Sequence, residues 1–374
     1  MKIVGMKINK RAKFDFVLLF SMLILVAFGI VMIYSASSYS AELQYNDAYF
    51  YVKKQIVGVV TGIVGCLFFA FFDYRKLDKC KWTVAIIATI LLALVFVPGI
   101  GVSKYGATRW INLGITTLQP SEFAKFALII FSAGYMAKIG EKVRKFQGIL
   151  PVIILGCIYC LLIILEPNMS ITMCVGLLLI SMLFLGGARL KHLVCIILPL
   201  LILVPLLIVL EPYRMKRLLA FLDPWAEASS VGYQLVQSLY ALGAGGLFGV
   251  GLFNSRQKYL FLPFAESDFI FSIIGEELGF VGCLLLIIVF AIMIYRIIMI
   301  SANSSTRFGA LVASGIACII SIQVLLNIAV VTGSIPPTGL PLPFISAGST
   351  SLLVFMSAIG VVLNVDRQSR RSKI

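Results

Sequence analysis

Long runs without a charged residue alternate with short basic segments along most of the chain. Phe16 to Ala41, Gln55 to Phe72, Trp82 to Ser103, Phe146 to Leu165, Pro167 to Ala188, His192 to Leu210 and Leu278 to Tyr295 carry no charge. Phe308 to Val365 is a further uncharged run of 58 residues, interrupted by Pro336-Pro337-Thr338-Gly339-Leu340-Pro341-Leu342-Pro343. About 20 apolar residues cross a bilayer as a helix, so this last run predicts two helices. Gln119 to Ala137 predicts one more, although it contains Glu122 and Lys125. The pattern predicts an all-α polytopic membrane protein with about ten transmembrane helices. A β-barrel is disfavoured, because the runs are continuous and not alternating.

Ala228 to Ser255 is also uncharged, but Gly232, Gly243, Gly245, Gly246, Gly249 and Gly251 interrupt it. Such a stretch predicts re-entrant or interfacial helices, since non-helical backbone at membrane depth is tolerated only under protein or beside a wet cavity. Composition agrees with membrane residence. Of the 374 residues, 60% are hydrophobic and 13% charged, about half the charge of a soluble domain.

The net charge of +15 looks at first like a nucleic-acid binder's. Its placement removes that reading. With both termini on the inner side, the inner segments carry 21 of the 31 Lys and Arg against five acids, and everything else nets −1. The excess is therefore a topology signal facing anionic lipid, with no nucleic-acid partner implied. The whole chain, 1–374, reads as one integral membrane domain. Basic inner tails span 1–14 and 366–374, and a large outer loop spans 211–268. The basic N-terminus followed by an apolar run resembles a signal peptide, but the run is too long and lacks a small-residue cleavage site. It predicts an uncleaved first span.

Eight cysteines lie mostly within predicted helices, and Cys157-x-x-Cys160 reads as two small packing residues in a helix and not as a redox pair. His192 is the only histidine, which disfavours a zinc site or a histidine-based triad. No cofactor motif is visible, and a divalent cation beside a phosphorylated ligand is left open. The glycine run 243–251 has no strand–helix surroundings and is not a dinucleotide loop.

Ionisable groups near a membrane interior are costly, so each is a candidate for function. Here they gather on the outer side. One group comprises Lys104, Arg109, Trp110, Gln119, Ser121, Glu122 and Lys125. The other comprises Glu211, Arg214, Lys216, Arg217, Asp223, Glu227, Arg256, Lys258, Glu266, Asp268, Glu276 and Glu277. Bases, acids and aromatics beside an apolar bundle suit a ligand with a lipid tail and a phosphorylated head. Glu122 and Lys125 share a helix face, either as a structural ion pair or as a cavity pair offering Lys125 to a phosphate. Arg109-Trp110 joins a phosphate fork to a flat ring suited to a sugar, or Trp110 is an interfacial anchor. Asp268 precedes an apolar helix, where desolvation raises a carboxylate toward the range of a general base; capping the helix is the alternative.

Several segments together resemble the shape, elongation, division and sporulation (SEDS) family. They are Phe28-Gly29-Ile30-Val31-Met32-Ile33-Tyr34-Ser35-Ala36-Ser37, Gly106-Ala107-Thr108-Arg109-Trp110-Ile111 and Gln119-Pro120-Ser121-Glu122-Phe123-Ala124-Lys125. Asp223-Pro224-Trp225, Gly232-Tyr233-Gln234 with Gln237-Ser238, and Asn254-Ser255-Arg256-Gln257-Lys258 follow. Ser267-Asp268-Phe269-Ile270-Phe271, Gly275-Glu276-Glu277-Leu278-Gly279, Thr338 to Pro343, and Ser346-Ala347-Gly348-Ser349-Thr350-Ser351 complete the series.

The resemblance implies a cytoplasmic-membrane peptidoglycan glycosyltransferase of the FtsW, RodA and SpoVE type, nearest the division and sporulation branch. It implies lipid II as substrate, a class B penicillin-binding protein as partner, and other division proteins around it. Asp268 matches the family's essential aspartate. Arg109, Trp110, Gln119, Ser121, Glu122, Lys125, Tyr233, Gln234, Gln237, Arg256, Lys258, Glu266, Ser346 and Ser349 are the expected substrate-binding set. Two departures stand out: Phe264 replaces a usual glutamate, with Glu266 two positions on, and Ser346 to Ser351 lacks one glycine of the family pattern. The competing functions are a lipid II flippase, which needs a path reaching both faces, and a non-catalytic scaffold that recruits a penicillin-binding protein.

Overall fold

The computed structural model describes residues 14–104, 107–112, 117–210, 212–226, 228, 230 and 232–372. Gly106, Glu211, Glu227 and nearly all of the basic N-terminal tail lie outside the described residues, as do the side chains of Lys104 and Arg214.

Thirteen described α-helices form a bundle. They are α1 (Phe16–Tyr45), α2 (Phe50–Phe71), α3 (Arg75–Lys79), α4 (Lys81–Leu94), α5 (Pro120–Ile139), α6 (Phe146–Leu165) and α7 (Met169–Gly186). Then come α8 (Leu190–Val209), α9 (Pro212–Leu222), α10 (Tyr233–Gly245), α11 (Ile270–Ala302), α12 (Arg307–Val331) and α13 (Ser349–Ser372). Among the described residues, eight of these are long and apolar enough to cross a membrane: α1, α2, α5, α6, α7, α11, α12 and α13. With the shorter α4 and the Pro199- and Pro205-bearing α8, they account for the ten expected spans.

One feature was not expected from the sequence. The run Trp82 to Ser103 is not all helix: α4 stops at Leu94, and Pro98-Gly99, with Gly99 at φ +85°, turns the chain. A three-stranded antiparallel sheet follows, of β1 (Gly101–Lys104), β2 (Ala107–Asn112) and β3 (Thr117–Leu118), in the order β1-β2-β3. Val102 pairs with Trp110 and Ile111 with Leu118. Strands this short carry too few residues to show alternation. Gln119 is still extended, and Pro120 then opens α5, where its missing N–H is no loss.

The glycine-rich stretch does not cross. After α10 the chain doubles back and pairs with α11 where that helix breaks at Gly279 (φ +67°). Val250 and Gly251 donate main-chain N–H groups to the carbonyls of Glu276 and Glu277, while Phe280 and Val281 donate to Gly246 and Leu247. At 33 residues, α11 is roughly 50 Å long, more than a bilayer needs. Its first part, Ile270 to Leu278, is almost wholly buried, and lipid-type exposure starts at Phe280.

The first and last helices meet at one end of the bundle. Asp15 caps α1 by accepting from Leu18 N at 3.0 Å, and its buried carboxylate pairs with Arg296 and, at 3.8 Å, with Arg370. Close packing holds α13 on α2. Gly58, Gly62 and Gly65, about one turn apart, face Ser349, Met356 and Ser357, where any Cβ would collide; small residues let membrane helices approach closely. This places the start of α13 beside the start of α2, at the end of the bundle opposite the termini.

Candidate functional site

That opposite end holds a cavity of about 1770 Å³. The start of α2 contributes Tyr51 and Lys54, and β2 contributes Arg109 and Trp110. Arg217 comes from α9, Tyr233 and Gln234 from α10, and Pro263, Phe264 and Glu266 to Phe269 from the loop before α11. The Pro-rich segment 335–339 and the start of α13 close the far wall. The lining also includes Val57 of α2, Leu165 of α6 and Met173 of α7, which are exposed.

Asp268 lines this cavity. The cap position of α11 belongs to Phe269 and makes no side-chain cap bond, so Asp268 stands outside the helix. Its main chain is held from behind: Asn327 Nδ2 on α12 donates to the Asp268 carbonyl at 2.8 Å and to the Leu340 carbonyl at 2.7 Å. Four positions earlier on α12, Gln323 Nε2 donates to the Pro341 carbonyl at 3.3 Å. Gly339 lies against the carboxylate itself; a Cβ there would sit 2.9 Å from Asp268 Oδ2. Burial is the main cause that pushes the Asp268 carboxyl up to about 6, with the neighbouring Glu266 carboxylate adding to it and Arg109 and Arg217 opposing. Glu266 is itself pushed upward by burial.

Of the expected substrate-binding set, Arg109, Trp110, Gln119, Tyr233, Gln234, Glu266 and Ser349 line the cavity with Asp268. The structure places the others elsewhere. Glu122 and Lys125 are buried within α5, paired at 2.8 Å, and Lys125 also donates to Gln323 Oε1 at 2.7 Å. Ser121 is buried beside them. Lys258 is buried on Glu277 at 3.1 Å, with Ser35 Oγ and the Phe253 carbonyl as further acceptors. Arg256 is exposed and donates its main-chain N–H to Glu276 at 2.9 Å. Gln237 is half-buried outside the cavity. Ser346 is buried and works on backbone: its hydroxyl donates to the Ser267 carbonyl at 2.6 Å and accepts from Leu342 N at 2.8 Å.

The structure adds Lys54, Gln55 and Glu166, which sequence reading left out, and brings in Arg217, which it had named only among the outer charges. Lys54 and Arg217 bring cations to the cavity, and Arg217 donates to the Pro337 carbonyl at 3.3 Å. Gln55 ties α2 to the far wall, accepting from Gly348 N at 3.1 Å and donating to the Ser346 carbonyl at 3.3 Å. Glu166, at the end of α6, is buried behind Arg109. Arg109 donates through Nε to the Glu166 main-chain carbonyl at 3.2 Å and through Nη2 to that of Pro167. Among the described residues, no group of three or more His, Cys, Asp or Glu is arranged to hold a metal ion.

Comparison with known proteins is consistent across the whole chain. The sequence profile of the FtsW, RodA and SpoVE family, described as cell cycle protein, matches residues 16–371. Stage V sporulation protein E of Bacillus subtilis is 39% identical over 97% of this chain and 99% of its own. A probable peptidoglycan glycosyltransferase FtsW of Trichlorobacter lovleyi is 40% identical over 95% of this chain and 94% of its own. Among solved structures, a chain from a study of structural coordination of polymerization and crosslinking by a peptidoglycan synthase complex superposes with a TM-score of 0.79. It is 27% identical, covering 95% of this chain and 98% of that one. The rod shape determining protein RodA of Thermus thermophilus superposes with a TM-score of 0.71 at 26% identity, covering 95% of this chain and 97% of its own.

Proposed function

The chain belongs to the FtsW, RodA and SpoVE family of cell cycle proteins, and from that premise we propose that it is a peptidoglycan glycosyltransferase polymerising lipid II on the outer face of the cytoplasmic membrane during division or sporulation. Both termini then face the cytoplasm, in keeping with the charge distribution. The partner is a class B penicillin-binding protein, since one structural relative is part of a peptidoglycan synthase complex.

The observation that carries the reading is Asp268, a carboxyl raised to about 6, in a cavity that also holds Arg109, Arg217 and Lys54. A base poised near the working pH is what deprotonation of a sugar hydroxyl needs. Asp268 takes the proton from the acceptor sugar's 4-hydroxyl, that oxygen attacks the donor's anomeric carbon, and undecaprenyl diphosphate leaves with inversion. The cavity cations stabilise the charge growing on the diphosphate. Lys125 and Lys258, each committed to a buried acid, are positioned to hold the scaffold instead. The volume exceeds the roughly 300–1,000 Å³ of small-molecule pockets, room for two polar head groups. The exposed apolar lining at Val57, Leu165 and Met173 lets polyprenyl tails stay in the bilayer.

The test is lipid II polymerisation by the purified protein with its cognate penicillin-binding protein, wild type against Asp268→Asn. Glycan chains from the first and none from the second support both transfer and the base. Chains from both would remove Asp268. No chains from either, with a folded complex and sound substrate, would favour flipping or scaffolding, and a liposome translocation assay would separate those two.

A further inference from the structure

Asn327 does not line the cavity. It is 1% exposed, and its one amide group bridges two main-chain carbonyls, Asp268 at 2.8 Å and Leu340 at 2.7 Å. These carbonyls belong to segments on either side of α11 and α12 in the chain: the loop before α11 and the Pro-rich break before α13. Next to Leu340, Gly339 faces the Asp268 carboxylate closely enough that an added Cβ would stand 2.9 Å from Oδ2. The same amide therefore fixes both the backbone of Asp268 and the wall against which its carboxylate rests. The only described polar side chain one turn back on that face, Gln323, grips the adjoining Pro341 carbonyl and is itself fixed by Lys125. A buried, bridging amide at this place is costly to leave partly satisfied, and Asn327 Oδ1 has no hydrogen-bond partner. Its retention in an apolar helix calls for a reason beyond packing.

We propose that Asn327 is a positioning residue for the glycosyl transfer, setting the Asp268 carboxylate against Gly339 by clamping the Asp268 and Leu340 carbonyls together. This rests on the assignment of Asp268 as the base. Misplacing a reacting group by about 1 Å costs on the order of 100-fold in rate. Asn327→Leu keeps the volume and removes both donated bonds. The expected result is a fall in kcat of roughly 10- to 100-fold with KM for lipid II little changed, because no cavity-lining group is lost. The acid limb of the kcat profile should also move to lower pH, since a released carboxylate gains solvent while Glu266, Arg109 and Arg217 remain around it. A merely structural asparagine would not move that limb.

Gly339→Ala disturbs the same place from the cavity side, without touching α12, and should also lower kcat. Leu325→Ala, on the lipid-facing side of α12 at 67% exposure, is the control expected to match wild type. Wild-type kcat and an unmoved acid limb in folded Asn327→Leu would overturn the proposal. If that variant does not fold, wild-type kinetics in Gly339→Ala would do the same. Asp268→Asn run alongside keeps the two readings apart: an active Asp268→Asn sinks the base, whereas an inactive one beside a normal Asn327→Leu sinks only the clamp.

Discussion

Arg109 bonds to the main-chain carbonyl of Glu166 and leaves the Glu166 carboxylate alone: both of its oxygens are buried without a hydrogen-bond partner. Burial pushes that carboxyl up to about 8, with Arg109 opposing. At neutral pH Glu166 is thus mostly protonated. Arg109 acts electrostatically on Asp268 as well, so one guanidinium stands between two carboxyls of different protonation state.

Glu166→Gln should cost little polymerising activity at pH 7, because it copies the protonated form. Its signature is in stability. An unfolded glutamate loses its proton near pH 4.3, while the folded one keeps it until about 8. The folded state therefore binds more protons across that window, and wild-type stability falls as pH rises through it. The melting temperature of the variant in detergent should gain on wild type from pH 5 to pH 8 and hold a constant lead above that. Parallel curves would show that Glu166 is ionised in the folded protein.

Polymerisation should require Asp268 in its charged form. With the carboxyl raised to about 6, the rate should drop tenfold per pH unit below that value and level off above it, read as kcat with saturating lipid II. Asp268→Asn should lose roughly 10²–10⁴-fold in rate. It should be at least as stable as wild type at pH 7, because a carboxyl with a raised folded pKa opposes folding once ionised. A variant that is both inactive and markedly less stable would point to a structural aspartate.

The Lys258–Glu277 pair, 3.1 Å apart and buried on both sides, pins the folded-back loop to α11. Lys258→Met would strand Glu277 without its cation and should destabilise the protein by about 3–5 kcal/mol. Adding Glu277→Gln should recover much of that loss. Thermal melts of the single and double variants measure the coupling directly, and additive losses would argue against a paired role.

Gly279 combines φ +67° with main chain from Gly249 and Leu247 packed where a Cβ would stand. Alanine there is strained twice over, by backbone and by collision. Backbone strain alone is on the order of 1–3 kcal/mol, so Gly279→Ala should express poorly or melt well below wild type. Gly243→Ala, at a position open on all sides, should be tolerated in the same assay.

The spans were legible because a bilayer demands long uncharged runs, and the chain supplies them. The small sheet was not, because strands of four, six and two residues are too short to imprint a period. Asp268 could be singled out from its place before an apolar helix. Its supports could not: Asn327 lies 59 positions away, and Ser346, which holds the Ser267 carbonyl, lies 79 from it. Lys125 and Lys258 looked like ligands because charge in a membrane is costly. Glu122, at i−3 from Lys125, was visible as one of two alternatives that the structure decides; the partner of Lys258, 19 positions on, emerges only once the chain is folded. Glu166 falls between two uncharged runs and drew no attention there; its place behind Arg109 depends on how the end of α6 meets β2.

Asp15 is made well before either of the arginines that pair with it. Arg296 arrives 281 positions later, and Arg370 only with the final turns of α13. Synthesis runs from the N-terminal side, so α1 is made with neither of these partners yet in place. A polypeptide released before Arg296 lacks both pairings, and it differs from the longer chain in charge at a defined spot on the membrane surface.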